Sequence, residues 1–85
     1  MNTQNQSVQN SGQIKPITRN QLFVKTRKQF GLPTPFKPLV HIALNYVGQW
    51  EIINYQGDAL GVTPEQKAFM LELINQHGGF KGGVL

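Results

Sequence analysis

Three prolines within six residues, Pro33, Pro35 and Pro38, constrain this chain more than any other feature of it. Each fixes its own φ near about −65°, lacks an amide donor, and disfavours the α region at the residue before it. The stretch around them is therefore extended, and helices must be sought on either side.

On the N-terminal side the spacing predicts a helix from Thr18 to Phe30. Thr18 stands as N-cap with Gln21 three residues on, the spacing of a capping box. Leu22, Phe23, Thr26 and Phe30 share one face of a helical wheel, and Lys25 and Lys28 sit opposite. Gly31 and then Pro33 end it. A second helix is marked more fully still. Thr63-Pro64-Glu65-Gln66 supplies an N-cap, a proline at N1, an acid in the first turn and Gln at N3. Ala68, Phe69, Met70, Leu71, Leu73 and Ile74 follow, and Gly78-Gly79 closes it.

The residues after Pro38 fit two periods. Leu39 to Val47 reads as a helix with a narrow polar stripe of His41, Asn45 and Gly48. It also reads as a strand with Val40, Ile42, Leu44 and Tyr46 on one face. Pro38 suits helix position N1, and Leu39, Ala43 and Leu44 are good helix formers, so the helix is favoured. Trp50 to Tyr55 has a β-friendly composition, and Gln56-Gly57-Asp58 signals a turn.

The ends differ in kind from the middle. Residues 1–13 hold three Asn, four Gln and two Ser, with Val8 the only aliphatic residue after the start. Such a segment cannot bury enough apolar area to offset about 1–2 kcal/mol per residue of backbone ordering entropy. Four glycines fall between His77 and Leu85. The expected architecture is mainly α: one small domain of three to four helices over residues 15–77, with a short β-hairpin around residues 49–62. A flexible polar segment, 1–14, and a flexible Gly-rich segment, 78–85, flank it. A domain of this size buries only about 60% of its unfolded surface, so oligomerisation or a partner would help it.

Two local strings resemble known motifs. Gly57-Asp-Ala-Leu-Gly-Val-Thr63 looks like the turn of a helix-turn-helix. That resemblance implies a small residue at Gly57 for close helix approach, a positive φ at Gly61, and Val62 as a plug between two helices. Gln56 and Lys67 stand where that motif carries apolar residues. The order of a basic helix, a proline, and Lys37-Pro38-Leu39 opening a helix is similar to the ProQ/FinO-type RNA chaperone domain. That resemblance implies class alone, and no residue is carried over from it.

Charge is segregated along the chain. Lys15, Arg19, Lys25, Arg27, Lys28 and Lys37 are six cations in 23 residues without an acid, and all four carboxylates lie beyond residue 50. A cationic surface of this kind attracts polyanions by releasing their condensed counterions. Phe23, Phe30 and Phe36 interleave with the cations, as core side chains of the first helix or as stacking platforms for bases. The reading is a small, non-enzymatic binding or regulatory protein that contacts nucleic acid through Arg19, Lys25, Arg27, Lys28 and Lys37. The alternative is a protein–protein adaptor or inhibitor that binds an acidic protein, or that forms a homodimer through an apolar face.

Catalysis, cofactors and metals are not expected. The four carboxylates are never closer than seven residues, there are two histidines, His41 and His77, and there is no cysteine. Metal binding needs a third and fourth ligand, and Ser7 and Ser11 sit where a nucleophile could not be preorganised. No apolar run approaches the ~20 residues of a membrane helix. The start lacks the basic and apolar regions of a signal peptide. A cytoplasmic setting is expected.

Overall fold

The computed structural model describes residues 15–82; the expected flexible segment 1–14 and residues 83–85 lie outside the described residues. The elements run β1 (Ile17–Thr18), α1 (Arg19–Phe30), β2 (His41–Leu44), β3 (Trp50–Ile53), a 3-10 turn (Asp58–Leu60), α2 (Pro64–Gln76) and β4 (Phe80–Lys81). The architecture is a small α/β domain. The expected mainly α fold of three to four helices is corrected: the described residues hold two α-helices and four short strands in two two-stranded sheets.

Both helices begin where their capping residues place them. At Thr18, Oγ1 accepts from the Gln21 amide (3.1 Å) and the Thr18 amide donates to Gln21 Oε1 (3.0 Å). Thr63 and Gln66 repeat the arrangement at α2 with the same two distances, 3.0 and 3.1 Å. Each box satisfies two amides that a helix start leaves unpaired. Gly31 ends α1 in the left-handed region (φ 62), and the Leu32 amide then donates to the Arg27 carbonyl at 2.9 Å.

The stretch expected to form a third helix is strand. β2 pairs antiparallel with β3 in the register His41↔Ile53, Ile42↔Ile52, Ala43↔Glu51, Leu44↔Trp50. Alternation decides the outcome: Val40, Ile42 and Ile52 are buried, and Leu39, His41, Glu51 and Ile53 between and beside them are exposed. Asn45 and Gly48 of the supposed polar stripe build the turn instead, and His41 opens β2. Asn45 Oδ1 accepts from the amides of Val47 (3.0 Å) and Gln49 (2.9 Å), its Nδ2 donates to Glu51 Oε2 (2.9 Å), and Gly48 takes φ 82. No helix passes through such a glycine. The hairpin therefore spans residues 41–53 around this turn, and the expected hairpin at 49–62 is replaced by β3 followed by the 3-10 turn.

The string resembling a helix-turn-helix follows a strand, and its two glycines exchange the expected roles. Gly57 has φ 97 with open space around it, so it is the residue that needs left-handed freedom. Gly61 has φ −104 and needs to lack a side chain, because a Cβ there would overlap Asn54. The Asn54 amide grips the same loop: Oδ1 accepts from the Val62 amide (2.9 Å), and Nδ2 donates to the Val62 carbonyl (2.9 Å) and Asp58 Oδ1 (3.1 Å). Val62, 2% exposed, joins the core from the loop that Asn54 holds. Likewise Lys37-Pro38-Leu39 leads into β2 and opens no helix.

The core gathers Ile17, Leu22, Phe23, Val40, Ile42, Ile52, Val62, Met70 and Ile74, drawn from both helices, β1, the hairpin and the residues that lead into β2 and α2. Side chains of this size contribute roughly 1.5–3 kcal/mol each when fully buried. α1 packs on α2, and α2 packs on β3; Phe30 and Phe69 meet edge-to-face at 5.8 Å across the helix pair. Residues 78–82, the described part of the Gly-rich segment expected from 78, return to the start of the domain. Gly78 (φ 79) and Gly79 (φ 138) turn the chain, the Gly79 carbonyl accepts from the Ile17 amide at 2.9 Å, and β4 runs parallel to β1. Phe80 then lies edge-to-face on Trp50, with centroids 6.3 Å apart.

Candidate functional site

The proline-rich stretch does not follow the surface of α1 closely. It stands away from the helix and leaves a groove of about 990 Å³ between them. One wall is the α1 face carrying Arg19, Phe23 and Arg27, residues four apart and so on one side of the helix. The other wall is the extended chain from Thr34 to His41, whose Thr34–Pro35 peptide bond is cis. Tyr55, just past β3, completes the lining.

The floor is held by rings. Phe36 turns inward and meets Phe23 edge-to-face, with centroids 5.9 Å apart and planes at 70°. The Arg19 guanidinium stands 5.5 Å from the centroids of both Phe23 and Phe80. Two ring faces hold it by their quadrupoles, an attraction of about 0.5–1 kcal/mol each at exposed sites. A guanidinium so placed loses little freedom when it meets a planar anion.

Of the five cations expected to act together, the groove brings in three: Arg19, Arg27 and Lys37. Lys25 and Lys28 are exposed on α1 outside the groove lining. At about 100° per residue Lys25 falls on the far side of the helix from Phe23 and Arg27, and Lys28 lies a quarter-turn or so round from Arg27. The described lining contains no carboxylate. Two of the four acids are engaged elsewhere, Glu51 with Asn45 in the hairpin turn and Asp58 with Asn54.

The aromatic residues sort differently from the expectation. Phe23 is 9% exposed and belongs to the core, Phe30 is spent on Phe69, and Phe36 is half-buried against Phe23. The accessible ring of the groove is Tyr55, at 56% exposure, with His41 exposed in the same lining. Sequence reasoning does not single out Tyr55. Its signal is the outward alternation of Glu51, Ile53 and Tyr55, visible once Trp50–Ile53 is taken as strand.

Among the described residues no three His, Asp or Glu side chains gather as a metal site, and no helix is long and apolar enough to cross a membrane. No protein-family model, curated protein or solved structure matches the chain. The geometry of the groove is therefore the basis for a functional reading.

Proposed function

We propose that this protein binds nucleic acid through the groove between α1 and the proline-rich stretch. The observation that carries the reading is the convergence of Arg19, Arg27 and Lys37 on one concavity whose described lining has no acid. Three cations around an apolar, ring-lined floor form a site of positive potential with low-dielectric walls, which focuses the field on an anionic ligand. The chain's net charge of +4 draws a polyanion toward it from a distance. Lys25 and Lys28 contribute to that general attraction from outside the groove.

The test is binding of labelled oligonucleotides across a salt series. Affinity falls steeply from low to moderate ionic strength, with a slope of about −0.7 to −0.9 per phosphate neutralised. Arg27→Glu with Lys37→Glu abolishes binding, and circular dichroism shows the pair folded, because Lys37 is exposed and Arg27 half-buried. No binding at low ionic strength overturns the reading.

A second reading, a surface for protein partners, is supported by the hairpin tip. Leu44, Tyr46 and Val47 are 54%, 100% and 62% exposed there. Exposed apolar clusters of this sort mark association sites. On this reading sedimentation finds a concentration-dependent dimer that Tyr46→Ser with Val47→Ser dissociates.

A further inference from the structure

We infer that the groove takes a single strand and that an unpaired base of that strand lies on Tyr55. The inference rests on the nucleic-acid reading above and specifies the form of the ligand.

Shape comes first. A protein reads a duplex by pushing a convex element, a helix or a β-ribbon, into a groove about 12 Å wide. Here the relation is reversed. Arg19, Arg27 and Lys37 line a concavity, with α1 as one wall and the extended chain as the other. The body that enters it must be slender, and a lone phosphodiester strand is the slender form of nucleic acid.

The lining chemistry agrees. Much of this surface is apolar, with Pro35, Phe36 and Leu39 beside the cations. A duplex offers phosphates and base edges, neither of which gains from such a floor. A single strand exposes base faces, which stack on aromatic rings whatever the base. Phe23 and Phe36 are engaged with each other at 5.9 Å, so they shape the floor. Tyr55 is 56% exposed in the same lining and so has ring area to give. A strand can thus set phosphates against Arg27 and Lys37 and lay one base on Tyr55. An acidic peptide could satisfy the cations but has no comparable use for the tyrosine face.

The probes are fluorescein-labelled oligothymidylate, oligouridylate and a blunt duplex, read by anisotropy at low ionic strength, with polyglutamate as competitor. The wild-type protein prefers either single strand to the duplex by at least about tenfold. Tyr55→Ala weakens single-strand binding about fivefold or more and leaves duplex binding unchanged, whereas Tyr55→Phe retains wild-type affinity. The two single strands tell DNA from RNA, since the 2′-hydroxyl is their difference. Equal affinity for strand and duplex, or a neutral Tyr55→Ala beside an Arg27→Glu with Lys37→Glu pair that still abolishes binding, overturns this inference and leaves the nucleic-acid reading standing. Polyglutamate displacing the strand as well as unlabelled strand does also overturns the inference, and assigns the groove to an acidic protein. Absence of binding to all three oligonucleotides overturns both.

Discussion

Asn54 and Gly61 form one device, and neither has meaning without the other. The Asn54 side chain meets Val62 with a donor and an acceptor at once, which matches an amide to a backbone amide and carbonyl in the part-buried loop. Asn54→Ala leaves those two backbone groups without partners, a cost of about 1–3 kcal/mol that urea denaturation will measure. The close approach of Asn54 is also what excludes a side chain at 61. Gly61→Ala is therefore expected to destabilise strongly in the wild-type chain and far less in an Asn54→Gly background. The coupling should be on the order of 0.5–3 kcal/mol, the range for residues in contact. Gly57→Ala serves as the contrast. Its cost comes from a φ of 97 with nothing crowding the site, so the Asn54 background does not relieve it.

At the scale of elements, the two helices stand on caps that are local in sequence. Thr63→Ala removes the acceptor for the Gln66 amide and keeps the Thr63 amide that donates to the buried Gln66 Oε1; about 1 kcal/mol is lost, and Thr63→Asp restores most of it beside the helix N-terminus. Thermal melts of the three proteins rank them. This locality is also why both helices are legible in the amino-acid sequence. Thr18, Gln21 and Gly31, or Thr63, Pro64 and Gln66, state a start or a stop within a few residues. The hairpin is not legible in the same way. Residues 39–47 fit both periods, and the choice is made by a partner strand, Trp50–Ile53, and by an Asn45 side chain that ties the turn. Gly57 and Gly61 stand out in the sequence, but the reason for each depends on what lies nearby in space. For the site, the residue types are readable and the grouping is not. Arg19 and Arg27 share a helix face that a wheel can show, but Lys37 reaches the groove only through the course of the extended chain and Tyr55 only through the hairpin.

For the whole molecule the question is whether its positive charge acts as a field or as a shaped site. Two double variants separate these. Arg27→Glu with Lys37→Glu and Lys25→Glu with Lys28→Glu each lower the net charge from +4 by four, to zero. If the long-range field were all that mattered, both would bind nucleic acid equally poorly. The groove predicts inequality: the first pair loses binding, and the second keeps it with a slower association that salt affects less. Stability gives a readout that does not depend on a label. A domain of under 85 residues has only about 0.05–0.15 kcal/mol of stability per residue. A ligand at a hundred times its dissociation constant adds about 2.7 kcal/mol to that by mass action. For a domain this small the addition raises the melting temperature by on the order of 10 °C. At low ionic strength, saturating oligothymidylate should produce that rise in the wild-type protein and in Lys25→Glu with Lys28→Glu, but not in Arg27→Glu with Lys37→Glu. The rise should shrink as salt is added, because ions screen exposed charges over a Debye length of about 10 Å at 0.1 M. Equal melting shifts in the two variants would assign binding to diffuse charge and remove the groove from the account.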